Sequence, residues 1–334
     1  MLINGGKCVQ RHIYIINPKQ YDFLTASVVE GVSELGRPFT TARHSNYGHT
    51  KWTDPAWRKI SKDDIILDFN GSKRTRQFLR WLGHANVFRV DGTDHMYAGM
   101  EDRDLYRGLY KREHSRALGA REEMGIWPFP FAAENRYFRS TLPEKDIFLS
   151  CMLAKKNKPF RSVVESELMA IAKDNWFVGP TGERAGKMSR GSNLPTPKYN
   201  DILSRSRISV SVMGAGYDCA RFWEVPAVKA LLLSQALPIR MPHPFTDGVN
   251  AVFFETADEL LARVAELESG KLDCEAIAQA GYDHLKQYHS TAARAAHLRD
   301  VAESAIQSGL RANWDSIAQE RWGMSLFNKT WTAR

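Results

Sequence analysis

The sequence predicts an α/β protein with two Rossmann-like domains, each built on a parallel β-sheet covered by helices. Short apolar strands alternate with helices along residues 12–92, and the same alternation restarts after residue 145. A proline-rich, aromatic segment separates the two series. Because strands that alternate with helices usually form parallel sheets, we expect an N-terminal domain at residues 1–140 and a second domain at residues 141–308.

The first domain opens with a strand at residues 12–17 and a helix at residues 22–36, where apolar side chains recur at helical spacing. A strand at 63–70, a helix at 72–83 and a strand at 85–92 follow. The charged stretch YKREHSRALGAR, residues 110–121, is also expected to be a helix. Residues 125–145 contain three prolines without a sustained period, which indicates a crossover between domains.

The second domain continues the pattern up to residue 309. Its predicted strands lie at 145–154, 176–180, 207–214, 236–241 and 251–255, and its predicted helices at 160–174, 196–206, within 214–239, 256–269, 273–288 and 291–309. The tail at residues 309–334 carries three tryptophans. We expect this tail to cross back onto the first domain or to remain on the surface.

The charge is uneven along the chain. The formal net charge is +8, basic residues dominate up to about Arg205, and acidic residues are frequent from Asp247 to Glu303. This asymmetry indicates a basic face for a polyanion or a phosphorylated ligand, or else a solvated surface with no partner. The four cysteines show no metal-binding spacing, and no apolar run approaches the roughly 20 residues of a membrane span, so we expect a cytoplasmic protein.

Several enzyme classes lose their main support because their motifs are absent. No G-x-G-x-x-G follows the first strand and no G-x-x-x-x-G-K-[ST] occurs, so dinucleotide oxidoreductases and P-loop NTPases are not indicated. The motifs G-x-S-x-G and H-E-x-x-H are absent as well, which leaves hydrolases and zinc proteases without a motif.

The most informative stretch is GAGYDCARFWEVPAVKALLLSQALPI, residues 214–239. It begins with a glycine-rich turn and continues into a helix, directly after a predicted strand, at the edge where open α/β sheets bind ligands. A helix N-terminus and Arg221 suit a phosphate, and Glu224 lies one helical turn later, where its carboxylate suits two sugar hydroxyls. A surface ion pair between Arg221 and Glu224 explains the same spacing without a ligand.

Three segments resemble, in a consistent order over about residues 195–300, the C-terminal half of GT-B glycosyltransferases. They are YNDILSRSRISVSVMGAGYDCARFWEVPAVKALLLSQ, FTDGVNAVFFETADELLARVAEL and AIAQAGYDHLKQYHSTAARAAHL. The nearest branch is the one grouped with spore-maturation glycosyltransferase-like proteins. The resemblance implies two Rossmann-like domains that face a cleft and a nucleotide-sugar donor bound in the second domain.

The resemblance also implies donor-site residues. Glu224 would bind the ribose, and the preceding loop would face the diphosphate and the sugar; it contains Gly214, Gly216, Asp218 and Arg221. Basic residues after the first strand of the second domain would contact the diphosphate, and the chain offers Lys155, Lys156 and Arg161 there. Many retaining relatives carry a second acid at the position of Gly216, so the role of Asp218, the nearest acid, stays open.

The acceptor side is expected in the first domain. The loop after its strand at 85–92 concentrates Asp91, Asp94 and His95, and an Asp or His in this position suits the removal of a proton from an attacking hydroxyl. A turn or capping loop explains the same residues without catalysis. The candidate acceptor-binding residues are His44, Tyr47, Lys73, Arg74 and Arg76.

These observations predict a glycosyltransferase, specifically a hexosyltransferase, that moves a sugar from a nucleotide-sugar donor such as UDP-glucose to a hydroxyl acceptor. Positive groups can stabilise the leaving diphosphate, so no cofactor or essential metal is expected. The basic first half favours duplex DNA with hydroxymethylated bases as the acceptor. The alternatives are a surface-glycan, lipid or protein acceptor, or a non-catalytic nucleic-acid-binding protein with a transferase-like fold.

Overall fold

The computed structural model describes residues 11–18, 22–41, 59–96, 102–118, 121–139, 141–153, 159–179 and 197–313. These residues form two α/β domains, one around a six-stranded sheet and the other around a five-stranded sheet, and all strand pairs in both sheets are parallel. The predicted fold class is therefore confirmed.

The first sheet consists of β1 (Ile13–Ile16), β2 (Phe39–Thr41), β3 (Ile65–Asp68), β4 (Val87–Asp91), β5 (Gly108–Lys111) and β6 (Ile126–Pro128). Its strand order is β2-β1-β3-β4-β5-β6. Helix α1 (Phe23–Glu34) follows β1, and helix α2 (Lys73–Leu82) follows β3. Ser72 caps the start of α2, and Gly83, at a φ of 63°, ends it in the left-handed conformation that glycine adopts without strain.

The prediction of a helix at residues 110–121 is wrong. The segment starts inside β5 and then forms a turn in which Arg112, Glu113 and His114 are buried. In the sequence, this density of charge is typical of a solvated helix face. The charged side chains are instead stabilised by partners far away in the chain, which a local pattern does not reveal.

The second sheet consists of β7 (Ile147–Met152), β8 (Trp176–Gly179), β9 (Ser206–Ser211), β10 (Leu231–Gln235) and β11 (Val252–Phe254). Its strand order is β11-β10-β9-β7-β8. The helices of this half of the chain are α3 (Pro159–Ile171), α4 (Pro197–Arg205), α5 (Ala220–Ala227), α6 (Ala257–Glu268), α7 (Cys274–Tyr288) and α8 (Thr291–Gln307). Buried aliphatic side chains of the sheet and of α3, α6 and α7 form the core of the domain.

The strand predicted at residues 236–241 is also misplaced. The structure has β10 at Leu231–Gln235, where Leu231 pairs with Ile208 of β9. Helix α5 ends early because Pro226 lies in its last turn and Lys229 adopts a positive φ of 54°. A five-residue apolar run does not distinguish a strand from the continuation of a helix by periodicity alone.

Helix α8 packs on the first domain. Leu298, Ala302 and Ala305 lie in the same buried cluster as α1 and the first sheet, and the Tyr110 hydroxyl donates to the carbonyl of Leu298 at 2.7 Å. After α8 the chain stays on this domain, since the Ala312 N–H donates to the Arg107 carbonyl at 2.7 Å. The return therefore begins with α8, before the predicted tail at 309–334, and residues 314–334 lie outside the described ranges.

The described residues include three of the four cysteines, and all three, Cys151, Cys219 and Cys274, are free. In the same part of the chain, no helix combines the length and the apolar character needed to cross a membrane.

Candidate active site

The topology of the second sheet indicates where a ligand would bind. Strands β7 and β9 are neighbours, and the chain continues from them toward opposite edges of the sheet, to β8 and to β10. Open α/β sheets bind ligands outside the carboxyl ends of the strands at such a switch point. Two segments begin there: α3 after β7, and a turn after β9 that leads into α5. Residues 214–218 of this turn, where the sequence predicts a donor, are called the donor turn.

Arg161 lies in the first turn of α3, directly beside the donor turn. Its side chain is buried, and it donates to the carbonyl oxygens of Met213 and Val212, each at 2.8 Å. Its Nη2 is 3.2 Å from the place that a Cβ on Gly214 would occupy. Burial lowers the pKa of Arg161, and the nearby charge of Arg221 lowers it further. Arg161 and Arg221 thus each lie in the first turn of a helix that begins at the switch point.

Arg221 lies in the first turn of α5, with its guanidinium carbon 5.5 Å from the centre of the Tyr199 ring. Burial by itself would lower the pKa of Arg221, but Tyr199, Cys219 and Glu224 raise it, so the side chain stays charged. Its Nε is buried and has no hydrogen-bond partner among the described residues. Arg221 as a residue is half-buried, and a guanidinium without a carboxylate partner is suited to a phosphate oxygen.

Glu224 is buried on α5, one turn beyond Arg221, and two tyrosines hold its carboxylate. The Tyr137 hydroxyl donates to Oε1 at 2.8 Å and the Tyr199 hydroxyl to Oε2 at 2.5 Å. Burial and the Glu224 charge raise the pKa of both tyrosines, so both remain protonated donors. A carboxylate has about four lone-pair directions, so each oxygen can accept a further hydrogen bond from a sugar hydroxyl.

Asp218 is buried at the junction of the two domains. Its carboxylate accepts from the Phe131 N–H and from the Trp223 indole N–H, each at 2.6 Å. The charges of Arg112 and Arg294 act on it, although burial raises the pKa of Asp218 overall. These contacts tie the turn to the domain junction through Asp218, and a role of Asp218 toward the donor stays a prediction.

The three acids and bases predicted after β4 differ in their surroundings. Asp91 is buried in an ion pair with Lys111 at 2.9 Å. Asp94 is exposed, with 47% of its side chain accessible, and its Oδ1 accepts from Arg112. Asp94 Oδ1 also lies 2.9 Å from the place of a Cβ on Gly216. His95 is exposed. Asp94 is therefore the acid of this loop that combines access to solvent with contact to the donor turn.

The predicted acceptor-binding residues are only partly described. Lys73 and Arg74 are exposed in the first turn of α2, at the carboxyl edge of the first sheet. Arg76 forms an ion pair with Asp102 at 2.7 Å. His44 and Tyr47, and with them the predicted donor residues Lys155 and Lys156, lie outside the described ranges.

Sequence reasoning missed Tyr137, Tyr199, Arg112 and Glu113. Tyr137 lies 87 residues from the glutamate that it contacts, and Arg112 and Glu113 belong to the stretch predicted as a helix. No spacing in the sequence signals these contacts. Within the described ranges, no group of three His, Cys, Asp or Glu side chains converges as a metal site requires.

Comparison with known proteins gives a partial family match and a shared fold. Residues 160–300 match a family model described as glycosyl transferase-like. No curated protein matches the chain. Among solved structures, a glycosyltransferase from Rickettsia africae ESF-5 is similar with a TM-score of 0.61 at 10% identity, over 89% of this chain and 99% of the other.

Two further structures share the fold at low identity. HepE from Anabaena, in complex with UDP and glucose, has a TM-score of 0.55 at 9% identity and covers 88% of this chain and 100% of its own. A DNA-modifying β-glucosyltransferase has a TM-score of 0.50 at 13% identity and covers 87% of this chain and 99% of its own. The chain has the two-domain GT-B fold, and this fold together with the family match supports a glycosyltransferase enzyme.

Proposed function

We propose that the protein transfers a hexose from a UDP-sugar, with UDP-glucose as the first candidate, to a hydroxyl group. The observation that carries the proposal is the placement of Arg161, Arg221 and Glu224 on the two helices that begin at the switch point of the second sheet. The arginines would bind the diphosphate, and Glu224 would accept from the ribose hydroxyls. HepE, which shares the fold, binds UDP and glucose, and this agrees with the proposal.

The reaction forms one bond and breaks another. The acceptor oxygen bonds to the anomeric carbon of the sugar, and the bond from that carbon to the diphosphate oxygen breaks. The electron pair leaves with the UDP, whose negative charge Arg221 and Arg161 stabilise without a requirement for a metal. We propose that Asp94 takes the proton of the acceptor hydroxyl, since it is exposed and adjacent to the donor turn.

For the acceptor we propose a hydroxymethylated base in duplex DNA. Lys73 and Arg74 are exposed at the N-terminus of α2, and the strand before that helix neighbours the strand that precedes Asp94. They can bind phosphates while a base flipped from the duplex reaches the cleft. A DNA-modifying β-glucosyltransferase shares the fold. Membership of the spore-maturation-like branch and a cytoplasmic location are further parts of this proposal.

The test combines binding and transfer with the full-length protein. Calorimetric titration with UDP should show an affinity about 10- to 100-fold lower for Glu224→Gln, because hydrogen bonds to a charged group contribute about 1.5–3 kcal/mol. Glu275→Gln, an exposed glutamate of the same domain, is the matched control. Equal binding by wild type and Glu224→Gln would exclude the ribose assignment.

The transfer assay incubates the protein with UDP-sugars and DNA duplexes that contain either hydroxymethylated or unmodified cytosine. Mass spectrometry should detect a hexose only on the hydroxymethylated duplex. Transfer to a glycan, lipid or protein instead would redirect the acceptor assignment. Salt-dependent DNA binding without transfer from any UDP-sugar would favour a non-catalytic nucleic-acid-binding protein.

A further inference from the structure

The segment that leaves β5 forms much of the contact between the two domains. The Arg116 N–H donates to the Pro238 carbonyl at 2.9 Å, and the Arg240 N–H donates to the His114 carbonyl at 2.7 Å. We call residues 112–116 the clasp. They follow β5 at the carboxyl edge of the first sheet, and they bind two parts of the second domain, the residues after β10 and the donor turn.

The first two residues of the clasp bind the backbone of the donor turn. Glu113 accepts from the Tyr217 N–H through Oε2 and from the Asp218 N–H through Oε1, each at 3.1 Å. Arg112 donates from Nη1 to the Asp218 carbonyl at 3.0 Å. Two adjacent side chains of one domain thus satisfy three backbone groups of a turn in the other domain, so they fix the conformation of the turn whatever its side chains are.

Gly216 lets the two domains come this close. A Cβ on Gly216 would lie 2.3 Å from Glu113 Oε1, 2.9 Å from Asp94 Oδ1 and 3.1 Å from Arg112 Nη2. The first two distances are shorter than a Cβ contact allows, so any other residue here would push the Glu113 and Asp94 side chains away from the turn. The space beside Gly216 is filled by charged side chains of the first domain.

Arg112 links the donor turn to Asp94. The same guanidinium donates to the Asp218 carbonyl and to Asp94 Oδ1, and it lies 4.5 Å over the Phe131 ring. Only 3% of the Arg112 side chain is exposed, compared with 47% of the Asp94 side chain. A rigid, buried group therefore holds an exposed carboxylate against the turn that faces the donor.

We propose that Arg112 is a positioning residue for the transfer reaction: it holds the Asp94 carboxylate at the donor turn, and Glu113 fixes the turn against it. This inference rests on the proposed function, because Asp94 is the group proposed to take the acceptor proton. The clasp thereby makes the position of the base depend on the conformation of the turn that contacts the donor.

The first measurement needs no substrate. Hydrogen–deuterium exchange should show faster uptake at the Tyr217 and Asp218 amides in Glu113→Gln, and across residues 214–219 in Arg112→Gln, than in wild type. Gly216→Ala should have the same effect, because its methyl group forces the clasp away. Gly179→Ala is the matched control, since its Cβ would meet, among the described residues, only the Phe177 ring at 3.9 Å. Unchanged exchange in Glu113→Gln, Arg112→Gln and Gly216→Ala would overturn the inference.

The second measurement separates positioning from stability. Arg112→Gln should lower kcat for transfer about 10- to 100-fold, because a displacement of about 1 Å in a catalytic group can cost 10²-fold. The Kd for UDP should stay within about twofold, since Arg112 contacts only the backbone of the turn. Arg112→Lys should recover part of kcat by keeping the charge next to Asp94.

A double-mutant cycle completes the test. Arg112→Gln combined with Asp94→Asn should be no slower than the slower single variant, because both changes remove the same function. Multiplicative losses, or a loss of UDP affinity as large as the loss of kcat, would overturn the positioning role. If wild type transfers no sugar but the three variants still increase hydrogen exchange, the proposed function is wrong. The structural role of the clasp in holding the donor turn is then still supported.

Discussion

The carboxyl edges of the two sheets carry their charges in different ways. In the first domain, Lys111 is paired with Asp91 and Arg112 with Asp94, so each basic side chain at the ends of β4 and β5 has a carboxylate partner. In the second domain, Arg221 forms no ion pair among the described residues, and its guanidinium lies near the Tyr199 ring. Paired charges stabilise a loop, whereas a charge without a carboxylate partner is suited to an external anion.

The paired and the unpaired basic residues also differ in what determines their pKa values. Burial lowers the pKa of Lys111, while the Lys111 charge opposes the effect of burial on Asp91 and holds the pKa of that carboxyl below its usual range. The charges of Lys111 and Asp91 thus compensate each other. Tyr199, Cys219 and Glu224 raise the pKa of Arg221, although no described carboxylate lies within ion-pair distance of its guanidinium.

The largest effect is expected on stability, from removal of the carboxylate that pairs with buried Lys111. Asp91→Asn leaves the Lys111 ammonium buried without a countercharge, which should lower the free energy of unfolding by about 3–5 kcal/mol. Asp94→Asn should change it by less than about 1 kcal/mol, because about half of the Asp94 side chain is exposed (47%) and buried Arg112 keeps the Glu113 carboxylate at 3.3 Å. Urea unfolding of both variants measures this contrast. Equal losses in the two variants would break the distinction between a structural and an accessible acid.

The next effect concerns Arg221, the arginine without a carboxylate partner. Arg221→Gln should weaken UDP binding about 10- to 100-fold, since a charge-assisted hydrogen bond contributes about 1.5–3 kcal/mol. Arg205→Gln in the same domain removes an arginine that is already paired with Asp146 and Asp201. It should leave UDP affinity unchanged in calorimetric titration. A similar loss of UDP affinity in both variants would mean that the net charge of the domain, and not the Arg221 guanidinium, attracts the nucleotide.

The domain junction offers a third arrangement, in which a neutral ring partners a buried arginine. Arg294 donates to Nδ1 of His289 at 2.7 Å, and Nε2 of His289 faces the His243 carbonyl at 2.8 Å. Burial holds the pKa of His289 well below its usual range, and the Arg294 charge acts in the same direction, with smaller contributions from His284 and His243. The folded protein therefore keeps this ring neutral.

This arrangement predicts a loss of stability in acid. Above about pH 6.5 both folded and unfolded states carry a neutral His289, whereas below it only the unfolded chain takes up the proton. Stability should fall as pH decreases, by up to about 1.4 kcal/mol per pH unit for this group. His289→Gln should reduce the slope of this dependence in urea unfolding between pH 7 and pH 5. His114 and His297, whose pKa values burial lowers to about 4, should account for the slope that remains. Equal slopes in wild type and His289→Gln would contradict the assignment.

The smallest effect is expected from the exposed charges of α2. Lys73→Gln combined with Arg74→Gln should weaken DNA binding a few-fold and reduce the slope of log K against log salt by about 1 for each phosphate that the variant no longer binds. Fluorescence anisotropy with a labelled duplex at several salt concentrations measures the slope. An unchanged slope would show that α2 does not contact DNA phosphates.

The sequence was sufficient to predict elements whose signal is local. The start of α1 at Asp22, the stop of α2 at Gly83 and the alternation around β7 and β9 follow from capping, turn chemistry and periodicity. The donor-side grouping of Arg161, Arg221 and Glu224 was also accessible, because each lies shortly after a predicted strand of the same sheet. What these residues bind stays a prediction.

The remaining features depend on contacts across long separations. Glu113 meets the donor turn more than 100 residues away, and Tyr137 meets Glu224 across 87 residues. A sequence does not distinguish a buried charge from a solvated one, so the charge pattern of residues 110–121 predicts a helix that the structure does not have. Similarly, the structural surroundings of Asp91 and Asp218 depend on partners, Lys111 and Phe131, that no spacing indicates.

The return of α8 to the first domain has a consequence for synthesis of the chain. Leu298, Ala302 and Ala305 fill the face of the first sheet beside α1, so this face stays uncovered while residues 1–290 are translated. The ribosome builds a chain from its N-terminus, and domains generally fold in that order. Here the domain that is made first is completed last, and the second domain, which is contiguous in the sequence, can form its core while the first still awaits its final helix.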